Sequence, residues 1–350
     1  MHAMKKMHWS LLACALIALV TAGILYGARG YADQPAKNLS WDEQVTYWQS
    51  RVRDVGGSAA YDEFATFVQS MPQTQQHVRV HAFGRALFRE AGEAGLSVCD
   101  TRFSYGCFHQ FLGDAIASLG ASAIPSLNDA CFKTLVSSPL SCQHGIGHGV
   151  MGSLAYDLTS LHQALATCKE LPGSDPIGGC YGGVFMEYNV RTMLGEYAEP
   201  RPFEGNPFEP CDSLDSTFVP ACIYWQPQWW QQTVLRDVPL HEQFVAMDGY
   251  CAKFGTTPEL KRACFEGVGN IVAQASNFDA GTARALCNAI ESSSVARLFC
   301  LSIGANHFGI DVGARDAVLV CDGLSSKQYA YCLAYARNEL NVANVGTPPL

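Results

Sequence analysis

Apolar side chains recur at intervals of three and four along most of the chain. The stretch from Asp157 to Cys168 opens on a capping residue and then sets Leu158, Leu161, Leu165 and Cys168 on one face, which is the signature of an amphipathic helix. Leu240 to Lys253, Phe278 to Ile290 and Val312 to Cys321 repeat the pattern. After each comes a turn, often with Pro or Ser, and then a second apolar helix near the next cysteine: Pro258 to Ala275, Val295 to His307, Ser325 to Leu340. Strand signals are nearly absent. Few stretches alternate apolar and polar residues, and Asp248-Gly249 and Asp322-Gly323 sit at helix ends rather than between such stretches. The pattern predicts an all-α protein built from helical hairpins.

The cysteines give the hairpins a period. Fourteen of the 15 fall in order as 99 and 107, 131 and 142, 168 and 180, 211 and 222, 251 and 264, 287 and 300, 321 and 332, with successive second members 32 to 42 residues apart. A fixed period of that length marks a tandem repeat. Pairing inside each unit staples a hairpin across its own turn, whereas zinc and iron–sulfur sites want the Cys-x-x-Cys spacing that this chain lacks. Tandem stapled hairpins form an open α-solenoid or a closed α/α toroid. A cysteine-free hairpin is expected near residues 40–95. Four prolines between Ala198 and Pro210 exclude helix there. That segment, 198–210, is expected to link an amino-terminal half, 33–197, to a carboxyl-terminal half, 211–350. Pro227 falls where the other units continue their second helix, so the Trp225, Trp229 and Trp230 unit is expected to depart from the repeat, its tryptophans forming a buried plug.

Residues 1–32 read differently. Lys5 and Lys6 precede an uncharged apolar run from Trp9 to Tyr26, an export signal long enough to be retained as a membrane anchor. The basic flank favours an extracytoplasmic domain from about residue 33 onward. Gly30-Tyr31-Ala32 also offers a cleavage site, which would release a secreted form. Without this segment the balance is 20 basic against 32 acidic residues, or −12, a sign that repels nucleic acid and anionic lipid.

Candidate chemistry lies in the second helices. Aligned on the second cysteine of each unit, positions two and six recur as polar, charged or glycine, four apart and so on one helix face. Cys107 is followed by His109, Cys142 by His144 and His148, and Cys180 by Glu187. His77 and His81 show the same spacing without a cysteine. His81, His109, His144, His148 and Glu187 form the candidate metal site, with imidazoles suited to zinc, iron or copper. The chain has no Gly-x-Ser-x-Gly elbow, no phosphate loop and no Cys-x-x-Cys-His. Four glycines between Gly145 and Gly152 weaken helix propensity by roughly 3–4 kcal/mol, which calls for a backbone or a ligand against them. The alternative to metal binding is a metal-free scaffold that presents its concave face to a protein or glycan partner.

Overall fold

The computed structural model describes residues 39–134, 139–172, 175–194, 198–340 and 346–349. The expected anchor at 9–26 lies outside these residues, and no described helix is long and apolar enough to cross a membrane. Among the described residues there are fifteen α-helices and no strand.

Three helices precede the first disulfide: α1 (Trp41–Val55), α2 (Gly57–Val68) and α3 (Gln73–Ala91). The expected amino-terminal hairpin is thus a triplet, because Gly56 adopts φ +85 and breaks what would be one helix into α1 and α2. Ser40 and Glu43 close a capping box at the start of α1. Next come α4 (Gly106–Leu119), α5 (Ile124–Thr134), α6 (Pro139–Gly152), α7 (Leu158–Lys169), α8 (Cys180–Val190) and α9 (Val219–Trp229). The last six are α10 (Leu240–Phe254), α11 (Pro258–Ala275), α12 (Ala280–Asn288), α13 (Ser294–Asp311), α14 (Ala314–Val320) and α15 (Ser326–Ala336). Asp157, Thr257, Asp279 and Ser293 each accept the backbone N–H three residues ahead and fix the starts of α7, α11, α12 and α13.

All seven bridges close within their own units, with Cα atoms 5.4 to 5.8 Å apart. Each constrains the unfolded chain by roughly 2–3 kcal/mol. Two units depart from the hairpin. Short 3-10 turns, Gly92–Val98 and Cys211–Ser213, stand where the first helix would be.

The second helices make one continuous row. Each packs on the next in the order α1, α3, α4, α6, α8, α9, α11, α13, α15, while α5, α7, α10, α12 and α14 flank it. The row bends back on itself, since the Ser104 hydroxyl, just before α4, donates to Asp311 at the end of α13. It also runs unbroken past the proline-rich segment, with α8 packed on α9. That segment is docked rather than loose. Trp229 and Trp230 donate their indole N–H groups to the carbonyls of Arg201 and Pro207, both at 2.6 Å, and the Arg201 guanidinium lies 3.7 Å from the centre of the Trp229 ring. Pro227 is accommodated inside α9, which ends two residues later in a π turn over Trp230–Val234. A proline that close to the carboxyl end forfeits one ladder bond and does not break the helix.

Candidate metal centre

The site forms where α3, α4, α6 and α8 follow one another in the row. Glycines set how closely these helices cross. A Cβ on Gly84 of α3 would lie 2.6 Å from the Cys107 carbonyl of α4, and one on Gly145 of α6 would lie 3.1 Å from the Phe108 carbonyl. Between α6 and α8 the fit is tighter still, at Gly147 and Gly183. The glycine run is therefore explained by backbone against backbone. The second half uses the same device, with Gly267 against the Tyr224 carbonyl and Gly309 against that of Ala336. Close crossing brings histidines from three helices into mutual contact.

Two triads result, and they share a member. Nitrogens of His77, His81 and His109 lie within 4.8 Å of one another, as do those of His109, His144 and His148. His109 stacks on His148 with ring centres 4.6 Å apart and stands 5.3 Å from His144. All but the half-buried His77 are withdrawn from solvent.

Hydrogen bonds orient the rings. His148 Nδ1 lies 2.9 Å from Glu187 Oε2. The same carboxylate takes Tyr156 OH and the Met193 N–H at 2.9 Å on Oε1, and Thr192 OH on Oε2. Four donors converge on its two oxygens, so Nδ1 of His148 carries a proton, and the neutral form of that ring has its lone pair on Nε2. The carbonyls of Gly178 and Gly179 lie against the His144 ring, and its Nε2 lies 3.2 Å from His148 Nε2, within hydrogen-bond reach. His77 Nδ1 donates to the Phe103 carbonyl at 2.7 Å, which frees its Nε2. Two buried nitrogens lack a well-formed hydrogen bond, His81 Nε2, which the Gln110 side chain approaches, and His109 Nδ1.

Burial dominates the electrostatics. It pushes His81, His109 and His144 well below the ordinary imidazole value, and His77 below it, with neighbouring histidines adding to the effect. At neutral pH these rings are uncharged, the form that ligates a metal. Buried nitrogen lone pairs without donors are costly unless something electrophilic meets them. The triads have the donors to hold a metal ion.

His81, His109, His144 and His148 of the candidate set thus come together, although as parts of two overlapping triads. Glu187 belongs to neither; it stands behind His148. The structure adds His77, whose signal was the His-x-x-x-His spacing to His81, Tyr156 and Thr192, which carried none, and Trp225, expected in a buried plug. Trp225 covers His144 with ring centres 5.0 Å apart. Comparison of the chain with family models, curated proteins and solved structures gives no match.

Proposed function

We propose that this protein binds a divalent transition metal ion between α4 and α6, through His109, His144 and His148, in an exported domain tethered by its amino-terminal segment. The observation that carries the reading is the approach of two imidazole Nε2 atoms to 3.2 Å. His148 has its other nitrogen engaged as a donor, so the neutral ring directs its Nε2 lone pair towards His144, where it accepts a proton from that ring or shares a metal ion with it. Two nitrogens bound to one tetrahedral zinc at about 2.0–2.1 Å stand roughly 3.3 Å apart. An all-nitrogen donor set selects zinc, copper, iron or nickel over magnesium or calcium. Three neutral imidazoles leave the ion its full charge and a fourth position open, the arrangement of reactive rather than purely structural sites. Seven disulfides fit an oxidising, extracytoplasmic compartment.

Elemental analysis of the purified full-length chain tests this. The protein is expected to carry a transition metal, and a His144→Ala/His148→Ala variant with intact disulfides is expected to lose the ion held by these residues. Equal metal content in the two proteins would overturn the assignment.

Glu187 acts through His148 as a positioning residue. Carboxylates in that place hold the imidazole's tautomer and raise its basicity, and their loss typically weakens metal binding 10- to 100-fold. Glu187→Gln turns one acceptor oxygen into a donor among four donors. Its zinc affinity, measured by competition with a chromophoric chelator, is expected to fall by about that factor. An unchanged affinity would sever Glu187 from the site.

A further inference from the structure

The two triads meet at one residue, and that residue has a spare nitrogen. Its Nδ1 is buried and has no hydrogen-bond partner, and the ring is only 4% exposed. The second triad has a lone pair on His77 Nε2, left free by the bond from Nδ1 to the Phe103 carbonyl. It has another unpartnered nitrogen in His81 Nε2, on a ring 5% exposed. His77 and His81 are one helical turn apart on α3, with ring centres 4.9 Å apart, and face His109 of α4 at 5.8 and 5.9 Å. His81 Nε2 and His109 Nδ1 have no well-formed hydrogen bond, the Gln110 side chain being the polar group that approaches His81. Gly106 lets α4 start close against this pair, since a Cβ there would lie 2.5 Å from the Val80 side chain and 3.1 Å from both the His77 and the His81 rings.

We propose that the chain holds two transition metal ions, one in each triad, bridged by the two ring nitrogens of His109. This rests on the reading of the His109, His144 and His148 triad above and extends it. Imidazole offers one lone pair when neutral and two once its N–H proton is gone. Binding of the second ion therefore releases that single proton from His109 to solvent, and an imidazolate takes its place between the ions. His77 keeps its Nδ1 proton on Phe103 and His148 keeps its own on Glu187, so neither ring needs to lose a proton to ligate. The bridge ties α3 to α6 through α4, and it couples the two ions electronically.

Zinc stoichiometry and copper spectroscopy on the full-length chain test the proposal. Saturation with zinc is expected to give two ions per chain by elemental analysis. His77→Gln/His81→Gln is expected to hold one, as is His144→Gln/His148→Gln. Loaded with copper(II), the wild-type chain is expected to show a spin-coupled pair by electron paramagnetic resonance, replaced in either double variant by the signal of one isolated ion. One zinc in the wild type, retained by His77→Gln/His81→Gln, would overturn the second ion and leave the first triad standing. No zinc in any of the proteins would overturn both. Two zinc ions with uncoupled copper spectra would reject the bridge. The wild-type measurements need no variant to fold.

Discussion

Gly183→Ala is expected to cost about 3 kcal/mol of stability and to lower the unfolding midpoint by roughly 5–10 °C. A Cβ there would sit 1.9 Å from the His144 carbonyl oxygen and 3.0 Å from the His148 N–H nitrogen. The opposing contact is equally close, with a Cβ on Gly147 lying 2.1 Å from the Cys180 carbonyl. What obstructs the new methyl is backbone, so relief requires α6 and α8 to separate. Separation also swings His144 and His148 away from Glu187, and metal affinity is expected to fall with stability. Gly249→Ala is the control. That glycine lies within α10 with nothing within 4 Å of its missing Cβ, so alanine is expected to stabilise by roughly 0.8–1 kcal/mol through helix propensity alone. Thermal unfolding of the oxidised proteins, followed by circular dichroism, separates the two effects. A Gly183→Ala midpoint equal to the wild type would show that the crossing tolerates a methyl group and would undo the account of how the histidines meet.

Much of this architecture can be read from residues whose chemistry is local. Cysteines at a fixed period identify the hairpins because a bridge across a short turn depends on neighbours in sequence, and all seven pairings follow from spacing. Asp157 and Pro258 mark helix starts because capping and the missing proline N–H act within one turn. Interactions between distant segments are less legible. Glycine density reads equally well as a ligand site or a helix crossing, and only the carbonyls of the next helix decide between them. Glu187 follows its cysteine by seven residues, one beyond the place of His148 in its unit, and whether it ligates or stands behind a ligand depends on Tyr156, Thr192 and Met193 arriving from other segments. His77 and His81 lie one helical turn apart, and the Phe103 carbonyl in the following loop, which takes the His77 Nδ1 proton, is invisible in their spacing. The docking of residues 198–210 on Trp229 and Trp230 leaves no trace in composition.

A different group in the row governs how stability changes with pH. Glu266 on α11 has no solvent exposure, neither of its oxygens has a hydrogen-bond partner, and the Arg262 Nε one turn back stands 3.7 Å away. Burial pushes its carboxyl up to about 8, with Arg262 opposing and Asp175 reinforcing the shift. Because the folded value lies above the unfolded one of about 4.3, the native state binds the extra proton between them. Stability is thus fully present below about pH 4 and is lost as pH rises towards 8. Asp311, raised to about 6 by its own burial, adds a smaller loss in the same direction. Glu266→Gln keeps the shape and removes the titration. Urea unfolding at pH 5 and pH 9 is expected to show the two proteins close in stability at the lower pH. At the higher pH the variant is expected to be the more stable by a few kcal/mol, an order-of-magnitude figure from about 1.4 kcal/mol per unit of displacement. Asp311 titrates identically in both proteins and cancels in the difference. A gap that did not change with pH would mean that Glu266 meets a compensating donor in solution, and its buried carboxyl would then be an ordinary ion pair with Arg262.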